Sequence, residues 1–193
     1  MNSDRGAGTL LGLGLLLWLV AMVHSYARTS LWVLDLAVVS LMWLCAVAGL
    51  VCLVVGAVRL GRRSRGRTAA AAALIAVVLL ITTVVGAWWP LSPRTWFATH
   101  RALYRQALST DPGHDYYGAP LPAHLRFLSA GGRVSGDRDS ARFFPQWIGV
   151  PDDAGGYWHS PAGSPAGYDM YGLRCRDPIA LGDDWWMCGL ADR

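Results

Sequence analysis

The sequence predicts an α-helical membrane protein with three transmembrane helices and a small, β-rich α+β extracytoplasmic domain at its C-terminal end. Three observations carry that fold class. Apolar residues make up 53% of the 193-residue chain and are concentrated before residue 90. They form three stretches, each close to the roughly 20 residues that a helix needs to cross a bilayer core. From Pro90 onward the long apolar runs stop, and Pro, Gly and Asp separate short aromatic-rich segments in the manner of a small β domain.

The spans are expected at about 7–27, 36–58 and 69–89, together forming a membrane domain over residues 1–89. Between the second and third lies a loop, 59–68, carrying Arg59, Arg62, Arg63, Arg65 and Arg67. Basic loops flanking spans stay on the cytoplasmic side, so this cluster predicts a cytoplasmic N-terminus and an exported domain over 90–193. Tyr26, Trp32, Trp88 and Trp89 mark the opposite span ends, where an outer interfacial belt of aromatic rings belongs. Ser25-Tyr26-Ala27 also fits a small-x-small cleavage site. A cleaved first segment would leave two spans in the same orientation, but its apolar core is long for a signal segment.

Within the second span, Cys45, Gly49, Cys52 and Gly56 recur at helical spacing. Such a strip of small side chains lets another helix approach closely in lipid. Gly8 and Gly12, and Ala76, Thr83 and Gly86, are the expected facing residues. A thiol pair for redox work is the weaker reading, because seven residues of helix separate the two sulfurs by ~10 Å of rise. Asp35 is expected in the headgroup region with Arg28 as its partner, and no second intramembrane charge supports an ion or proton pathway. The arginine loop also suits anionic lipid headgroups, at about 1 kcal/mol per Arg.

Charge excludes several function classes. Every basic residue apart from histidine is Arg and every acidic one is Asp; there is no Lys and no Glu. With abundant Ala and Gly, this usage fits a high-GC bacterial genome. P-loop, Schiff-base and Ser-x-x-Lys chemistry are therefore impossible. Seven Arg and two Asp up to Trp89 give +5, while ten Arg and eleven Asp thereafter give −1, together the +4 of the whole chain. The C-terminal half thus lacks the basic surface that nucleic acid requires.

In the exported half, Ser92-Pro93 reads as a helix start, with Trp96, His100, Leu103, Ala107 and Leu108 at helical spacing as far as about Ser109. Strands are expected at 124–129, 143–150, 157–159, 168–174 and 185–189. Two tandem Ser-Pro-Ala-Gly tetrapeptides, 160–163 and 164–167, read as a loop. Cys175 and Cys188 are expected to form a disulfide closing the last hairpin, as an oxidising compartment permits.

Candidate chemistry is sparse. His114 and Asp115, with Asp111 and either His124 or His159, are weak metal-ligand candidates without the spacing of a known site. Asp152-Asp153 and Asp183-Asp184 sit at turns, where Asp is the expected residue, rather than as opposed carboxylates. No cofactor is called for. Aromatic residues abound after residue 140 and chiefly supply a core. Trp158, Trp185 and Trp186 are the candidates for a binding surface; of the last two, one ring should pack under the disulfide and the other face solvent. The function expected is a cell-envelope membrane protein presenting a disulfide-bonded module that binds a partner protein or cell-wall glycan. The alternative is an envelope hydrolase that uses Asp and His.

Overall fold

A computed structural model describes residues 2–27, 35–61, 65–136, 141–149 and 153–190, with the backbone alone at 2–5, 35, 36 and 65. The chain divides into a helical unit within residues 1–86 and a sheet unit that continues from Ala87.

Uninterrupted apolar sequence makes the helical unit. Helices α1 (Asn2–Ala27), α2 (Asp35–Gly61) and α3 (Arg65–Val85) each contain a segment long and apolar enough to cross a membrane: Gly6–Ala27, Ala37–Gly61 and Gly66–Val85. The third helix ends before the expected position 89. Gly86 N–H still donates to Thr82 O, but Pro90 disfavours helical geometry at the residue before it, so Trp88 and Trp89 fall in the connection.

Where α1 crosses α2, glycine meets glycine. A Cβ on Gly14 would lie 2.8 Å from Gly49 O, and one on Gly49 would lie 2.8 Å from Gly14 O. Only hydrogen side chains permit this approach, the usual basis of close helix contact in lipid. Gly56 faces the Leu11 side chain and Cys45 borders the core formed by Trp18, Ala21, Met22, Ala46, Leu53 and Val78. The small-residue strip of α2 is therefore a packing surface. Its expected partners need correcting: nothing packs over Gly8 or Gly12, Ala76 and Thr83 are exposed, and Gly14, Trp18, Val78 and Thr82 take their places. Trp18 Nε1 donates to Thr82 Oγ1 at 2.9 Å, and the Thr82 hydroxyl in turn donates to Val78 O at 2.7 Å. The indole N–H is thus satisfied without water.

The sheet unit begins with α4 (Pro93–Ala107), which buries Trp96, Phe97, His100, Tyr104 and Ala107 along one stripe. Among the described residues eight short strands follow: β1 (Ala119–Pro120), β2 (Arg133–Gly136), β3 (Arg142–Ile148), β4 (Ala154–His159), β5 (Asp169–Met170), β6 (Leu173–Arg174), β7 (Ile179–Gly182) and β8 (Trp185–Cys188). Six form an antiparallel sheet in the order β1-β2-β3-β4-β8-β7, and β5 with β6 forms a separate hairpin.

Alternation along the central strands sorts the rings onto two faces. Phe144, Tyr157 and Trp185 turn toward α4, with ring centroids 5.1–5.8 Å from Phe97 or Tyr104. Phe143, Trp158 and Trp186 turn the other way, toward Met170, Tyr171 and the disulfide. Gln146, two residues after Phe144 and left unpaired by a bulge in β3 between Pro145 and Trp147, is buried on the α4 side, where its amide donates to Tyr104 Oη at 3.1 Å and Leu128 O at 2.6 Å.

The expected strand at 124–129 is a 3₁₀ segment, Ala123–Leu128. Its backbone bonds reach three residues back, Leu125 N–H to Pro122 O and Ser129 N–H to Arg126 O, the pattern of a threefold turn. The expected strand 168–174 is the β5–β6 hairpin. Position 150 lies outside the described residues. β2 and β7 were not legible as strands, since each offers too few large apolar residues to mark an alternation.

Candidate functional site

The bond between Cys175 and Cys188 exists, with a Cα–Cα distance of 5.5 Å. It does not close the last hairpin, which is β7–β8. Cys175 extends the ladder of β5–β6, its N–H donating to Tyr168 O and its carbonyl accepting from Gly167 N, so the bridge ties that small hairpin to the end of β8. Cys45 and Cys52 are free thiols.

At its other end the hairpin turns through Tyr171 and Gly172, with φ of 58° and 99°. Two positive φ values suit a two-residue hairpin loop, but Tyr is a costly residue for the first of them. The strain is offset by burial: Tyr171 is 3% exposed, packs edge-on to Phe143 at 5.6 Å and donates its hydroxyl to Ser135 Oγ at 3.1 Å. Burial pushes its phenol above the usual tyrosine range, outweighing the opposing hydrogen bond and the nearby Arg133.

Tyr171 in turn supports Tyr116 and Tyr117, with centroids 5.7 and 5.0 Å away. These two rings stand edge to face at 5.0 Å and are 54% and 41% exposed. They are exposed yet held. Tyr116 Oη donates to Asp169 Oδ2 at 2.7 Å, while Asp169 Oδ1 accepts from Gly172 N in the hairpin turn. Arg133 Nε donates to Tyr117 O at 3.2 Å, and its Nη2 reaches Gly118 O. Asp115, 85% exposed, pairs with Arg133 at 3.8 Å. The DYYG loop and the hairpin turn thus form one platform: two exposed rings, a buried ring beneath them, and two carboxylates at the rim.

The tryptophan candidates fare differently. Trp158 and Trp185 are 2% and 1% exposed and are corrected from surface to core. Trp158 stacks on Phe143 at 4.7 Å. The pair Trp185 and Trp186 is indeed inequivalent, but the arrangement reverses the expected one. The fully buried ring lies under α4, and half-buried Trp186 lies on the disulfide side. What sequence reasoning missed is Tyr116-Tyr117. The available signal was two adjacent rings in a loop otherwise made of Asp, Pro, Gly and His.

The structure does not gather the Asp and His candidates. His114 is exposed, Asp111 binds the Gly113 N–H, and His124 contacts Gln106. His159 belongs to the other face of the sheet, against Trp185 and near Asp184 and Arg142; burial holds its imidazole below the usual range, Asp184 opposing and Arg142 reinforcing. Among the described residues no three His, Cys, Asp or Glu side chains are placed to hold a metal ion. Asp183 is paired with Arg101 and Arg105, fastening the β7–β8 turn to α4, and does not oppose a second carboxylate. Asp152, Arg28, Arg62 and Arg63 lie outside the described residues, and only the backbone is described at Asp35 and Arg65.

Comparison with known proteins finds no matching family model, no matching characterised protein and no matching solved structure.

Proposed function

We propose that this is a multi-pass protein of the bacterial cell membrane, with a cytoplasmic N-terminus, that displays a ligand-binding module outside the cytoplasm. The arginine cluster at 59–67 supports the orientation. The Cys175–Cys188 bond supports it independently, since such bonds persist in oxidising compartments. The binding role rests on one observation: Tyr116 and Tyr117 are exposed, yet both rings pack on buried Tyr171 and the Tyr116 hydroxyl is bonded to Asp169, which hold them in place. Rings ordered before a ligand arrives lose little freedom on binding, which is what makes an exposed aromatic pair a recognition surface.

A photoreactive phenylalanine analogue at position 117 tests this in intact cells. Irradiation should attach envelope material there, and should attach far less to the same analogue at Ala102, an exposed position on α4 across the sheet. Equal labelling at the two positions would remove the binding role.

A further inference from the structure

We infer that the ligand of the tyrosine platform is a neutral, hydroxyl-rich saccharide chain; this inference rests on the binding role proposed above. Size decides first against a protein. A stable protein interface covers about 800 Å² on each partner, built around an apolar centre. Two rings about half exposed present roughly 200 Å². Beyond them, the one other exposed large apolar side chain among the described residues from Ala87 onward is Leu91, in the segment before α4. The platform is several-fold too small for a folded partner and matches one or two sugar rings, whose C–H faces stack on aromatic faces.

The rim decides the chemistry. Asp169 accepts one hydrogen bond at each carboxylate oxygen, from Tyr116 and from Gly172, and each oxygen retains a lone pair. Asp115 adds an exposed carboxylate at the end of the same loop. The nearby guanidiniums are engaged at the surface: Arg133 on the carbonyls of Tyr117 and Gly118 and on the Asp115 carboxylate, and Arg174 Nη1 on Gly167 O at 3.0 Å. Outward-facing acceptors beside ring faces suit a ligand that supplies O–H donors. With both arginines already engaged, the rim offers a phosphate or carboxylate polymer little complementary charge. The T-shaped setting of the two rings, 74° between planes, offers one face and one edge, which suits a bend in a chain more than a flat crystalline surface.

The test is affinity electrophoresis of the full-length, detergent-solubilised chain through gels containing dextran, a soluble chito-oligosaccharide mixture or polygalacturonate. At least one of the two neutral saccharides should retard the chain, and polygalacturonate should not. The double variant Tyr116→Ala/Tyr117→Ala should lose the retardation, its affinity falling by about tenfold or more with an unchanged melting temperature. Tyr116→Phe keeps the ring and loses the Asp169 bond, so it should retain part of the binding. Absence of retardation by both neutral saccharides, or retardation by polygalacturonate alone, overturns the saccharide inference. If position 117 then still labels selectively in cells, the binding role stands with another ligand. If it does not, both fall.

Discussion

Truncating Trp185 removes a ring that touches Phe97, Tyr104, Phe144 and His159 at centroid distances of 5.0–5.8 Å. Its neighbours belong to α4 and two strands, so little can collapse into the space, and Trp185→Ala should cost about 3–5 kcal/mol. Trp186→Ala, beginning from a half-buried ring, should cost under about 2 kcal/mol. Thermal unfolding of the solubilised chain followed by near-ultraviolet circular dichroism separates the two; equal shifts would contradict the two-faced sheet. The period of two made that inequivalence legible. Which ring was core was not legible, because it depends on α4 covering one face, a contact between segments some 80 residues apart. His159 carries a pH consequence. Its folded-state pKa is lowered, so the unfolded chain takes up the proton first as pH falls. Stability from this group is complete above about pH 6.5 and is lost as pH falls from there through the lower folded value. The fall in melting temperature between pH 7.5 and 5 should therefore be smaller in His159→Gln than in the parent chain.

At the level of elements, the disulfide changes meaning once the hairpins are known. The bridge closes a loop of 13 positions, and loop-closure entropy assigns such a loop about 3 kcal/mol. Its mechanical role is to hold the base of β5–β6 while Tyr171 anchors the turn against Phe143 and Ser135. Cys175→Ser/Cys188→Ser should lower the melting temperature of the full chain. It should also raise amide exchange at Asp169–Arg174 above that of α4; uniform exchange across the sheet unit would show that the bond merely staples the whole. The pairing was readable from composition and compartment, since these are the two cysteines outside the apolar stretches. The strand it braces was not. β5 and β6 are two residues each, too short to write an alternation, and their hairpin is held by a strained tyrosine where Asn would have signalled the turn. In the helical unit the reverse holds. Spacing alone exposed the small-residue face of α2, but the matching glycine on α1 is Gly14 and not Gly8 or Gly12, because crossing position depends on which large side chains flank the contact.

For the whole molecule, the three apolar helices and the charges around them make one arrangement economical. An odd number of spans puts the two ends of a chain on opposite sides of a membrane. The stretch 59–67, from the end of α2 to the start of α3, holds five of the seven arginines found before Pro90, and moving it across a bilayer would carry that charge through hydrocarbon. The C-terminal unit instead has a net charge of −1 and a disulfide, both compatible with export. A reporter enzyme active only in the cytoplasm should therefore work when fused after Gly66 and fail when fused after Arg193. An exported phosphatase should show the opposite pattern. Substituting Arg59, Arg62, Arg63, Arg65 and Arg67 together by Asn should weaken the contrast, giving activity of both reporters at both fusion points as molecules insert in mixed orientations. Retention of a sharp contrast would transfer control of orientation to the helices themselves. Inversion of the original pattern would place the tyrosine platform inside the cell, where neither the disulfide nor an envelope ligand has a place.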